Sequence, residues 1–165
     1  MSAQDVGSIR KAYHEDLVIL IVEDHMIFCK EARHALPQHK VVLARSVEEA
    51  KEQYDDCLPN ITFLDIDLPD GDGFAVLDYI RSQDPSAYVI ILSGSKLQDD
   101  LNAAQNKGAQ GYIIKPFTRS RLEYYINEYM KFREQNIKSA ISEIENHRFK
   151  AVKSTTGDKL YPDSS

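Results

Sequence analysis

The sequence predicts an α/β protein built on a doubly wound, five-stranded parallel sheet. Three observations point there. Five short β-rich runs recur along the body, most are apolar at consecutive positions, and helically spaced charged segments separate them. Consecutive apolar residues suit strands whose two faces are both covered by helices. Regular alternation of strand and helix then generates a parallel sheet.

Each element follows in order. LVILIV (17–22) is the first strand and a charged amphipathic segment at 26–36 the first helix. VVLA (41–44) forms the second strand, and Ser46 caps a helix over 47–57. ITFLDI (61–66) leads into PDGDG, a turn sequence in which Pro69 presets φ and Gly71 and Gly73 tolerate positive φ. A helix over 73–83 stops before Pro85, YVIILS (88–93) is the fourth strand, and Gly108 closes a helix over 97–107. GYIIK (111–115) completes the sheet.

Thr118 caps a last helix starting near Arg119, and residues 119–147 contain no Gly or Pro. Its apolar stripe includes Leu122, Ile126, Tyr129, Met130, Ile137, Ala140, Ile141 and Ile144. The first turns should pack on the sheet. Past Phe132 the stripe has no body to cover, which suggests a partner helix, a homodimer or folding back onto the domain. Arg133 interrupts it. The expected division is an N-terminal extension (1–15), a domain (16–132), an extension of the last helix (133–147) and a polar, flexible tail (148–165).

Composition narrows the function. The chain has 165 residues, 42% hydrophobic and 28% charged, as expected of a soluble globular protein. LVILIV is far short of the roughly 20 residues needed to cross a bilayer, and MSAQDVGSIRKAYHED has no signal-peptide core. Cys29 and Cys57 lack the spacing of a metal knuckle or disulfide framework, which fits the cytoplasm. Net charge is −6: residues 119–165 hold nine Lys or Arg against seven Asp or Glu, and the rest eleven against nineteen. An acidic body speaks against a nucleic-acid partner.

In doubly wound sheets, ligands bind beyond the C-terminal strand ends. Those ends carry Glu23-Asp24, Asp65, Ser93 and Lys115. FLDIDLPDGDGF (63–74) is not an EF-hand loop. From Asp65 the sixth and twelfth positions are Asp70 and Val76, and from Asp67 the third and sixth are Pro69 and Asp72. Asp70 and Asp72 are turn residues, and Asp72 also stands where it would cap the following helix. Asp65 differs, because it ends an apolar strand. Close to Glu23 and Asp24 it needs a neutralising cation, and oxygen-only ligands suit Mg²⁺. Lys115 and Ser93 can meet phosphoryl oxygens. Such a site lets a carboxylate attack phosphorus while Mg²⁺ and Lys disperse charge.

VEDH (22–25), LDIDLPDGDG (64–73), ILSGS (91–95) and GYIIKPF (111–117) together resemble the receiver domain of bacterial two-component response regulators, over about residues 16 to 130. VEDH and GAQGYIIK (108–115) lean toward receivers of the NarL/LuxR type, and no helix-turn-helix pattern follows. The resemblance implies a CheY-like, flavodoxin-like sheet of order 2-1-3-4-5. It implies that Asp65 is phosphorylated by a sensor histidine kinase or histidine phosphotransfer protein and that Asp24 binds Mg²⁺ directly. Glu23 would act mostly through water and Asp67 through its backbone carbonyl. Lys115 and Ser93 would assist at the phosphoryl group, Ser93 and Tyr112 would form the switch, and Lys115-Pro116 would be cis. Output would pass to a downstream protein through the fourth helix, fifth strand and fifth helix. A receiver promotes its own phosphorylation and is not a turnover enzyme. His25, beside the acidic pair, is expected to be a partly exposed residue opening the first helix, and the Asp67 side chain either borders the pocket or points into solvent.

The rival is a haloacid-dehalogenase-like, Mg²⁺-dependent phosphatase with Asp65 as nucleophile, whose motif opens with D-I-D (65–67). Pro69 departs from that motif, an earlier strand already bears an acidic pair, and no further acidic motif follows Lys115.

Overall fold

The structure, a computed structural model, describes residues 16–94 and 96–156, with the side chains of Phe149 and of residues 151–156 excluded. The expected N-terminal extension and the end of the expected tail, 157–165, lie outside the described residues. Strands β1 (Val18–Val22), β2 (Lys40–Ala44), β3 (Ile61–Asp65), β4 (Val89–Ser93) and β5 (Gly111–Ile114) alternate with helices α1 (Met26–Ala35), α2 (Val47–Cys57), α3 (Gly73–Gln83), α4 (Gln98–Asn106) and α5 (Arg119–Thr156). These five strands form one sheet in the order β2-β1-β3-β4-β5, and every pairing within it is parallel.

Burial follows position in the sheet. Ile19, Leu20, Ile21 and Val22 of β1 and Val89, Ile90, Ile91 and Leu92 of β4 are all fully buried. The edge strands β2 and β5 are mostly half-buried. Each fully buried Ile or Leu contributes about 1.5–3 kcal/mol relative to exposure, so the central strands hold the fold. Leu122 and Ile126 of α5 are buried as well. The Asn60 side chain accepts from Val18 N–H at 2.9 Å and donates to the Tyr129 hydroxyl at 3.3 Å, while the Tyr88 and Tyr129 rings meet edge-on.

Local signals account for the boundaries. Ser46 Oγ accepts from Glu49 N–H, and Thr118 Oγ1 from Arg121 N–H. Gly108, at φ 76°, closes α4. Lys115-Pro116 is cis. Among the described glycines only Gly108 has positive φ, so Gly71 and Gly73 do not use that tolerance. The expected turn falls at Pro69 and Asp70 and joins a small antiparallel hairpin in which Asp67 pairs with Asp72 and Leu68 with Gly71. One expectation needs correction: the last helix runs to Thr156 and not His147, so 148–156 is helix and not tail. The chain divides into two compact units between Tyr129 and Met130.

Candidate functional site

The parallel register brings Val22 beside Leu64, Asp65 beside Leu92, and Ser93 beside Ile114. Residues ending β1, β3, β4 and β5 therefore meet at one edge of the sheet. Glu23 is 0% exposed and Asp65 1%. Burying a carboxylate is costly unless it is paired and hydrogen-bonded, and both are: Lys115 Nζ donates to Glu23 Oε2 and to Asp65 Oδ2, each at 2.7 Å. The remaining oxygens are also satisfied. Glu23 Oε1 accepts from His25 N–H at 3.0 Å and Asp65 Oδ1 from Asp67 N–H at 2.9 Å.

The half-exposed Asp24 completes the cluster, with carboxylate oxygens of Glu23, Asp24 and Asp65 all within 4.8 Å of one another. Three carboxylates face one ammonium, in an all-oxygen donor set of the kind a hard divalent cation takes. Burial pushes the Glu23 carboxyl up, reinforced by the Asp65 charge and opposed by the hydrogen bonds from Lys115 and His25 N–H. Burial pulls the Lys115 ammonium down, but hydrogen bonds to Asp65 and Glu23 outweigh it, and the net shift is upward. Lys115 therefore stays charged. The Phe28 ring lies 5.2 Å from Lys115 Nζ and packs on Phe117, restricting where the ammonium can go.

Ser93 is fully buried at the end of β4, and its carbonyl accepts from Lys115 N–H at 2.7 Å. Tyr112 is half-buried on β5 against the hydrophobic core. The Tyr125 hydroxyl reaches both Tyr112 N–H and Tyr112 carbonyl oxygen, each at 3.4 Å. A Cβ at Gly111 would fall on the Tyr125 ring, so this glycine admits the tyrosine over the sheet edge. Asp67 is exposed, and what burial it has raises its carboxyl, followed by the Asp65 charge. His25 is exposed at the start of α1 and makes no side-chain cap.

The other two loop aspartates separate. Asp72 Oδ1 accepts from Phe74 N–H at 2.8 Å and caps α3 as expected. Asp70 reaches a different helix, accepting from Val47 N–H at 2.7 Å and Glu48 N–H at 3.3 Å at the start of α2. Nothing local in the sequence signals this cap, because the partners lie 23 and 22 residues away. The Val47 N–H bond holds the Asp70 carboxyl below its ordinary value. A lowered folded value stabilises the protein above the ordinary Asp range, about pH 3.9, and that contribution fades as pH falls through the folded value. Asp70→Ala is therefore expected to melt lower than wild type at pH 7. The gap in Tm should narrow as pH falls through the lowered folded value, below which the carboxyl is protonated in both states.

Comparison with known proteins agrees with this geometry. Residues 19–127 match the response regulator receiver domain. The chain is 35% identical over 109 residues to the chemotaxis protein CheY of Listeria monocytogenes, covering 64% of this chain and 92% of that protein. Its fold superimposes on a CheY-like receiver domain from Methanospirillum hungatei with TM-score 0.70 and 25% identity, covering 74% of this chain and 99% of the other. It also superimposes on the CheX–CheY–BeF3–Mg²⁺ complex of Borrelia burgdorferi with TM-score 0.64 and 26% identity, covering 68% and 87%. With that match spanning most of the sheet and every strand end at the acidic pocket, the chain belongs to the response regulator receiver family, proteins that act as signalling switches and not as conventional enzymes.

Proposed function

We propose that this receiver is switched by phosphorylation of Asp65 from a phosphohistidine donor, a sensor histidine kinase or a histidine phosphotransfer protein. The observation that carries the reading is the single ammonium of Lys115 held 2.7 Å from each of two buried carboxylates, Asp65 and Glu23. An Asp65 carboxylate oxygen bonds to phosphorus as the phosphorus–nitrogen bond to the donor imidazole breaks, and the leaving imidazole takes up a proton. Asp67 N–H orients Oδ1 of the acceptor. Lys115, already next to Oδ2, balances charge on the incoming phosphoryl oxygens.

Receivers typically bind Mg²⁺ in an acidic pocket. Here Glu23, Asp24, Asp65 and the Asp67 carbonyl would hold it, a reading supported by the oxygen-only cluster and by the Mg²⁺ in the Borrelia complex. When bound, the ion offsets the surplus of carboxylate charge and polarises the phosphoryl oxygens.

Phosphorylation adds charge and acceptor oxygens next to Ser93. The Ser93 hydroxyl moves toward the phosphoryl group, Tyr112 turns further inward, and the surface of α4, β5 and the first turns of α5 changes for a downstream protein. The shift in population equals the difference in interaction free energy between the two states.

The test is intact mass after incubation with Mg²⁺ and a small acyl-phosphate donor. One phosphoryl adduct is expected on the wild type and none on Asp65→Asn. No adduct on the wild type overturns the reading, and multiple-turnover hydrolysis of unrelated phosphate esters would favour the phosphatase chemistry instead.

A further inference from the structure

Beyond Met130, α5 carries a face that the receiver reading leaves unexplained. Met130, Ile137 and Ile144 recur at intervals of seven, and Ala151 continues the interval in the sequence. Ile144 is 62% exposed and Ile141 51%. From Met130 to Thr156 the helix is about 40 Å long at 1.5 Å per residue. A helix held only by its own backbone bonds is marginal in water, and helical stability in proteins comes mostly from packing an apolar face.

The residues on that face specify its occupant. Ala140, Glu143, Ile144, His147 and Arg148 lie together on one side of the helix. With Ile137 and Ile144 at heptad position a, Ala140 and His147 fall at d, Glu143 at g and Arg148 at e. In a parallel coiled coil, an a-position knob enters a hole made by d, g, a and d of the facing helix. Ala140, Glu143, Ile144 and His147 make up that hole, and the knob that fits it is Ile144 of a second copy.

Charge gives the same answer. In parallel, in-register pairing a g residue faces the e residue five positions later on the other strand. Glu143 of each copy then faces Arg148 of the other, twice by symmetry. The two cannot face each other on one helix, where partners sit three or four apart. Arg133 and His147 at the neighbouring d positions confine the apolar seam to the stretch between them.

We propose that α5 beyond Met130 pairs two copies of this chain in a parallel, in-register, two-stranded coiled coil. Ile137 and Ile144 fill its a layers, and Glu143–Arg148 ion pairs flank the seam. The pairing uses only this part of α5 and is independent of phosphoryl chemistry, so acyl-phosphate labelling reports separately on the receiver.

Sedimentation equilibrium of the full chain tests it. At tens of micromolar, a mass twice the 18.8 kDa of one chain is expected. Ile144→Asp should raise the dissociation constant at least about tenfold, because a carboxylate would have to enter the seam. Glu143→Arg and Arg148→Glu should each weaken self-association, and mixing these two variants should restore dimers as heterodimers. Far-UV circular dichroism and acyl-phosphate labelling check that each variant is folded. A monomer at all concentrations, a trimer, a dimer indifferent to Ile144→Asp, or no recovery on mixing overturns the proposal.

Discussion

Lys115→Met is expected to cost about 3–5 kcal/mol of stability, the usual penalty for stranding buried charge, and to slow phosphoryl uptake at least about 100-fold. The side chains of Glu23 and Asp65 are 0% and 1% exposed, and Lys115 is the cation bonded to both. Methionine fills similar space without the charge. Removing the ammonium also removes the largest influence that lowers the Glu23 carboxyl, leaving burial and the Asp65 charge to raise it further. When a carboxyl is raised in the folded state, that state holds the extra proton between the unfolded and folded values. Stability is then lost as pH rises through that window. The variant should be least stable above the folded Glu23 value and recover partly as pH falls toward the unfolded Glu range, about 4.3. Mg²⁺ should stabilise the variant more than wild type, since it replaces a missing positive charge. Urea unfolding at pH 5 and pH 8, with and without Mg²⁺, measures both. Equal losses at the two pH values and no Mg²⁺ response would mean that Lys115 does not neutralise this pair.

Gly73→Ala is expected to lose on the order of 3 kcal/mol, as severe overpacking does. The start of α3 docks onto the end of β3, with Gly73 N–H donating to the Ile66 carbonyl at 3.0 Å. A Cβ at residue 73 would fall on the Asp65 carbonyl oxygen and lie 2.6 Å from Ile66 Cα. Both are backbone atoms and cannot swing aside. The strand end must shift, carrying the proposed phosphoacceptor with it, so labelling should drop along with stability. Gly71→Ala is the control. There the nearest atom is Val47 Cγ2, a side-chain carbon at 3.4 Å, and both stability and labelling should stay near wild type. Equal effects at the two positions would sink the close-approach explanation.

These positions show what kind of information the chain states locally. Strands, helices and caps were legible because apolar runs, Ser46, Asp72, Gly108 and Thr118 act within a few residues of themselves. Asp70 signals only a turn in the sequence, because the N–H groups it caps at the start of α2 are distant along the chain. A glycine in a turn sequence signals tolerance of positive φ, whereas Gly73 serves the close approach of two backbones, which only the fold reveals. The polar composition past His147 resembles a tail, yet no Gly or Pro stands before Gly157 to stop the helix, which runs on to Thr156.

By itself the sequence determined the doubly wound sheet, the strand ends that carry Glu23, Asp24, Asp65, Ser93 and Lys115, and through their order the receiver family. Those depend on periodicity and on residue type at strand ends, which are properties of short segments. Only the tertiary structure decided the partners of the three loop aspartates other than Asp72. Asp65 is paired with Lys115, Asp67 lends it an N–H, and Asp70 caps α2. A carboxylate's partner is set by what folding brings within 3 Å, and those neighbours come from anywhere in the chain.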